Sequence, residues 1–191
     1  MKSFFINCIC LLGLSTVTLA NANDFEAALS QDTAQFTFRS DSSLIGWGGS
    51  DLAVGVFYND ESDFVAQASL LQMRQASEGT PLTFGVGVQG YIGWLDKPDE
   101  EMLAFAIGGE IRYTIPGTMP MAVYGRAYYA PDITSFGDTE EVTDYTLGFQ
   151  IEALPQTVAF VGLRHFEVGL DSGDDYELDD DNIHIGVRLT F

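Results

Sequence analysis

The chain has 191 residues, with 28 acidic and 8 basic side chains, a formal net charge of -20, and 46% hydrophobic and 13% aromatic residues. That charge excludes nucleic acid as a natural partner, since phosphate binding needs a basic surface. The apolar and aromatic content is too high for a disordered acidic chain, so some fold must order it.

The first segment carries Lys2, then a largely apolar run from Phe4 to Leu19, then the small-x-small triplet Ala20, Asn21, Ala22. This is the pattern of a secretory signal, and cleavage is expected after Ala22. Asn7, Ser15, Thr16 and Thr18 interrupt the run, which is short for a retained membrane helix. The expected organisation is therefore a signal over 1–22 and one domain over 23–191. Loss of Lys2 takes the charge from -20 to -21. Both cysteines, Cys8 and Cys10, leave with the signal, so the processed chain has no disulfide, thiolate metal site or cysteine nucleophile.

Beyond residue 22 no stretch approaches the roughly 18 consecutive apolar residues of a membrane helix. The chain alternates instead. Leu82, Phe84, Val86, Val88, Ile92 and Trp94 face one way, against Thr83, Gly85, Gly87, Gln89, Tyr91 and Gly93. Leu103, Phe105, Ile107, Ile111, Tyr113 and Ile115 oppose Met102, Ala104, Ala106, Glu110, Arg112 and Thr114. At the end of the chain Ile183, Ile185, Val187, Leu189 and Phe191 alternate with His184, Gly186, Arg188 and Thr190. A period of two is a strand signal that no helix produces. An aqueous sandwich would carry lysines on its polar face, and beyond the signal Lys97 is the one lysine. The pattern fits lipid outside and a packed or wet lumen inside, and backbone groups in lipid must be paired by closing the sheet.

The expected fold is thus all-β, an antiparallel transmembrane β-barrel. Strands are predicted near 33–39, 43–48, 51–59, 63–74, 82–95, 102–115, 121–130, 142–154, 157–169 and 182–191. Ten is the count, or eight if the first two, weakened by glycines, are loop. With the chain end placed in the periplasm, the turns near 48–50, 75–80, 115–120 and 154–156 fall inside. The segments 96–101, 131–141 and 170–181 fall outside, and the outer side as a whole collects most of the acid, including Asp60, Glu61, Asp63, Asp99, Glu100, Glu101, Glu140 and Glu141. Trp94, Tyr113, Tyr129 and Tyr145 lie near strand ends, where aromatic rings favour the boundary of hydrocarbon and water. Pro116, Pro120 and Pro155 mark turns.

The run Tyr124, Gly125, Arg126, Ala127, Tyr128, Tyr129, Ala130, Pro131, Asp132 resembles an aromatic strand and loop entry of the YfaZ family of outer-membrane proteins. Gly85 to Gly93 is similar to that family's glycine-rich span, Gly162 to Phe166 to its glycine-hydrophobic-arginine-aromatic strand, and Phe191 to its terminal phenylalanine. The resemblance covers nearly all of 23–191. It implies fold and an outer-membrane location, reached through the barrel assembly machinery with Phe191 as the assembly signal, and leaves activity open. Fold does not supply function.

Candidate functional residues follow from strand parity. Glu110, Arg112, Arg126, Asp144, Glu152, Arg164 and Arg188 all fall on the expected inward face. Arginine facing lipid at the midplane costs about 2 to 4 kcal/mol, so inward placement is expected on physical grounds. These charges either plug the lumen or line a narrow porin-like passage for small solutes, and an interior this small favours the plug. The acidic outer segment, with Asp171, Asp174, Asp175, Glu177 and Asp179, lacks calcium-loop spacing and reads as a solvated loop rather than a site for divalent cations. His184, on the lumen side, forms a candidate dyad with Asp144 or Asp181 for a rim-sited hydrolase. No serine stands in a nucleophile context, Ser135 and Ser172 being loop serines, and His165 faces outward. The leading reading is a structural or narrow-pore envelope barrel in contact with lipid and lipopolysaccharide, without catalysis or cofactor. A rim hydrolase and a surface adhesion or ligand-binding barrel are the alternatives.

Overall fold

The computed structural model describes residues 23–42, 49–96, 100–171 and 175–191, with backbone only at 180 and 181. The signal region, Cys8, Cys10, Lys97, Asp99, Ser172, Asp174 and the strand expected at 43–48 lie outside the described residues, as does the side chain of Asp181. The strands are β1 Asp24–Leu29, β2 Thr33–Asp41, β3 Asp51–Asn59, β4 Phe64–Gln75, β5 Leu82–Leu95, β6 Glu100–Ile115, β7 Met121–Ala130, β8 Ser135–Gly137, β9 Thr139–Leu154, β10 Thr157–Leu170 and β11 Asp175–Thr190.

Ten of these form the wall. Each is antiparallel to its neighbours in the order β5-β4-β3-β2-β1-β11-β10-β9-β7-β6, and pairing of β5 with β6 closes the ring. The short β8 pairs with β6 beyond the end of β7. Closure brings the described ends of the chain together: the Asn23 amide donates to the Phe191 carbonyl at 3.1 Å and the Phe191 amide to Asn23 at 2.9 Å. The rim holding this seam is called the near end below, and the opposite rim the far end.

The expected strands at 51–59, 82–95 and 121–130 stand at the expected bounds. The tenth wall strand comes from a different place, because β1 was not anticipated. Its sequence, Asp-Phe-Glu-Ala-Ala-Leu, is rich in residues that serve helices equally well, but β11 and β2 flank it and impose an extended backbone. Two expected outer loops are shorter than predicted. β9 begins at Thr139 and β11 at Asp175, so much of 131–141 and 170–181 is ladder. Acidic residues have poor strand propensity, but pairing with β10 overrides it there. Likewise β6 starts at Glu100 within the expected 96–101 loop.

The alternation has the expected physical consequence. Outward side chains stand bare, among them Val86 at 70%, Ile107 at 71% and Ile183 at 65% exposure, while inward Tyr91, Val65 and Ala104 are at 0%. Inward glycines make room for rings from the adjacent strand: Tyr124 lies against Gly148, Tyr128 against Gly108, His184 against Gly162 and Phe160 against Gly186. A side chain at these glycines would collide with the ring, so the small residues of the alternation are the seats of the large ones.

The two rims differ in charge. The far-end turns hold Asp32, Asp60, Glu61, Asp63, Asp96, Asp132, Asp138 and Asp171, and no lysine or arginine among the described residues. The near-end hairpin from β9 to β10 turns on Pro155 and Gln156, the latter at φ 64.

Candidate functional site: the barrel lumen

All seven charged residues predicted for the lumen project inward on their strands. They do not form one cluster. Glu110 and Arg112 pair with each other, the guanidinium Nη2 donating to Oε1 at 2.6 Å. They stand near the inner end of β6, opposite Arg126 and Tyr124 of β7. Arg188 donates through Nε to Glu26 at 2.8 Å, and Glu26 also accepts from Arg39 at 3.4 Å. Glu26 thus joins β1, β2 and β11 across the seam.

Higher in the lumen, Arg164 donates through Nε to Asp179 at 2.6 Å and through Nη2 to the Thr33 hydroxyl at 2.9 Å. Its Nη1 binds Gln35, and its guanidinium carbon stands 4.9 Å from the centre of the Phe57 ring. Asp144 accepts a hydrogen bond from the Tyr91 hydroxyl at 2.9 Å. Arg126 has no ion pair within direct reach among the described residues. It faces Asp144, Glu110 and Glu26 at longer range. Glu152 sits at the near end of β9, and no ion pair among the described residues ties it to the others.

Between these groups lies a cavity of about 20 Å³ lined by Gln35, Gln67, Gln89, Arg126, Asp144 and Arg164. That is space for about one water. Gln89 donates to Gln67 at 2.9 Å across two strands of the lining.

Toward the far end the lumen is apolar and full. Phe57, Val65, Tyr91, Leu95, Met102, Tyr128 and Phe166, with further small and branched residues from β6, β7, β9, β10 and β11, form one buried cluster. Phe166 meets Phe57 edge-on at 5.5 Å and Tyr91 tilted at 5.5 Å. The far half therefore resembles the core of a soluble protein enclosed by a sheet.

Sequence reasoning missed Glu26, Arg39, Asp179 and Tyr91. Arg39 was legible, because it alternates with Phe36 and Phe38 on β2. Glu26 was hidden with its strand. Asp179 was assigned to a solvated outer loop, whereas it is 2% exposed and points down into the lumen.

The dyad of His184 with Asp144 does not form. Asp144 is engaged by Tyr91, while His184 is 3% exposed, packs against the Phe160 ring at 6.0 Å, and has Nδ1 without a hydrogen-bond partner. The Ser135 hydroxyl donates to the Pro131 carbonyl at 3.2 Å, a turn contact. His165 stacks outward on Tyr145 at 4.7 Å, with Glu167 at 3.6 Å from its Nε2. Among the described residues no group of three or more histidines or carboxylates is arranged to hold a metal ion.

Solved structures similar to this chain include a channel and a porin. The outer membrane channel DcaP of Acinetobacter baumannii aligns with a TM-score of 0.43 at 11% identity, over 87% of this chain and 54% of its own. An anion-selective porin from Comamonas acidovorans aligns with a TM-score of 0.36 at 12% identity, over 83% of this chain and 49% of its own. The chain thus spans about half the length of each. No curated protein matches it. The profile described as YfaZ precursor matches residues 1–191, end to end, and the chain belongs to that family.

Proposed function

We propose that the chain is an exported outer-membrane protein whose barrel crosses the bilayer with its near end in the periplasm and its far end outside, and that it serves the envelope as a closed structural barrel rather than an open channel. The observation that carries this reading is the pairing of two surfaces: a bare apolar outer wall around a lumen whose far half is packed solid. An apolar wall of this extent in water would drive aggregation, and hydrocarbon is the solvent that suits it. Aromatic side chains on the outer face, Trp94 with Phe64 and Tyr129 with its hydroxyl on Glu141 at 2.7 Å, suit the outer boundary.

In this reading residues 1–22 are the cleaved export signal, the assembly machinery reads the final strand ending in Phe191, and the acidic far rim faces the lipopolysaccharide surface. Of the five lumen arginines of the described chain, Arg39, Arg164 and Arg188 neutralise carboxylates on other strands and tie those strands together, while Arg112 neutralises Glu110 on its own strand. The reading is tested by fractionating cell envelopes. The expected result is a heat-modifiable protein in the outer-membrane fraction that urea washing does not extract and that begins at Asn23. A processed protein recovered soluble in the periplasm would overturn it.

A further inference from the structure

The far end of the lumen is covered by a piece of the wall itself. Between Arg164 and Glu167, β10 advances three residues while its partner β11 advances five, from Asn182 to Glu177, so β11 holds two extra residues in consecutive irregularities. On its other side, β10 stays in continuous register with β9 from Val158 to Gly169. Extra residues in one strand of a pair bend that strand. The outer part of β11 accordingly bends, and it stays paired with β10 as far as Asp175, opposite Gly169. β1 stops at Leu29, opposite Ile185, and no strand of the described residues pairs with β11 on that flank beyond this point.

Beside its pairing with β10, the bent stretch, Asp175–Asp179, is fastened at a second place, the turn between β3 and β4. The Tyr176 hydroxyl donates to Asp63 at 2.8 Å and approaches Glu61 at 3.3 Å, both in the turn between β3 and β4. Asp63 is a prepared acceptor: it is 0% exposed and is held by the Asn59 side-chain amide at 2.8 Å and the Asp96 backbone amide at 2.8 Å. Leu178 enters the apolar cluster at 2% exposure. Asp179 takes Arg164 and Thr33 below it. One short stretch thus spans the mouth with an apolar foot, a buried ion pair and a hydroxyl catch.

We propose that Asp175–Asp179 of β11 is a strap over the far mouth, hinged at the extra residues before Asn182 and latched by Tyr176 on Asp63, and that unlatching opens the apolar half of the lumen from outside. The wall does not need the strap for its own closure, because the ring is completed by pairs lower down. Opening therefore leaves the barrel standing. This inference concerns the folded barrel itself and holds whether or not the chain serves a purely structural role.

The test uses the absence of cysteine beyond Cys10. A single thiol is placed under the strap by Val65→Cys, and in the near half by Ala122→Cys; both sites are buried. Each is labelled in refolded barrel with a water-soluble maleimide, with and without Tyr176→Phe, which keeps the ring and deletes the catch. One hydrogen bond to a carboxylate corresponds to about a tenfold rise in labelling at Val65→Cys, with labelling at Ala122→Cys unchanged. Leu178→Ala, which removes the apolar foot, raises the first rate further. Equal rates at Val65→Cys with and without the Tyr176 hydroxyl overturn the strap. A parallel rise at both thiols overturns it as well, because that is loosening of the whole barrel, and retention of heat-modifiable migration on gels checks that every variant is folded.

Discussion

The two halves of the lumen solve the same problem by opposite means. Inward side chains of a ten-strand ring must fill a space that water would otherwise occupy. In the far half they do so with Phe57, Val65, Met102, Phe166 and Leu178, which need no partners. In the near half they do so with Glu26, Arg39, Glu110, Arg112, Arg126 and Arg188, nearly all of which do. Apolar filling is insensitive to the identity of the neighbour as long as volume is kept. Charged filling is specific: Glu26 must meet both Arg39 and Arg188, and so it fixes which strands close the seam. β1 is only six residues long. A strong polar clasp at a short seam is the feature the near half supplies and the far half does not.

The largest expected effects set one half against the other. Phe57→Ala removes a ring that touches Phe166 and the Arg164 guanidinium, and should lower unfolding free energy by about 3 to 5 kcal/mol. Glu26→Ala strands two part-buried arginines and should cost about 3 to 5 kcal/mol as well. Both are read from urea midpoints of the heat-modifiable band. If the halves are independent, the double variant adds to within about 0.5 kcal/mol. A large coupling between them would erase the distinction.

Tyr91 tests the border, since its ring belongs to the apolar cluster and its hydroxyl serves Asp144. Tyr91→Phe keeps the packing and leaves Asp144 short of a donor, for an expected loss of about 1.5 to 3 kcal/mol. A loss near zero would place that carboxylate with water rather than with the protein. Smaller still is Arg112→Ala. Its side chain is 28% exposed at the near end, and the buried Glu110 keeps Arg126 facing it when Arg112 is gone, so the pair should contribute only about 1 kcal/mol and less as salt is raised. An unchanged loss in molar salt would mean that this pair is as shielded as Arg164 with Asp179.

The same contrast explains what the sequence disclosed. Strand parity assigned seven charges to the inward face, because a one-residue shift would have put arginine against lipid. It did not give their partners. Glu26 lies in a segment whose Ala-Ala-Leu ending carries no strand preference of its own. Asp179 belongs to an acid-rich run that reads as solvated loop until the extra residues of β11 turn it inward. Partner choice depends on which strands meet and where one of them bends, and both are set by long-range pairing rather than by local composition. The apolar far half, in contrast, was legible only as greasy or small residues opposite the lipid face, and its closure over the mouth depended on the same bend.

The central claim is that packed side chains seal the far half of the lumen, and ion conductance through single refolded barrels in a planar bilayer tests it most directly. The account predicts a flat baseline, without discrete steps, for the parent protein at either polarity. Reproducible unitary steps from heat-modifiable, correctly folded protein would contradict it.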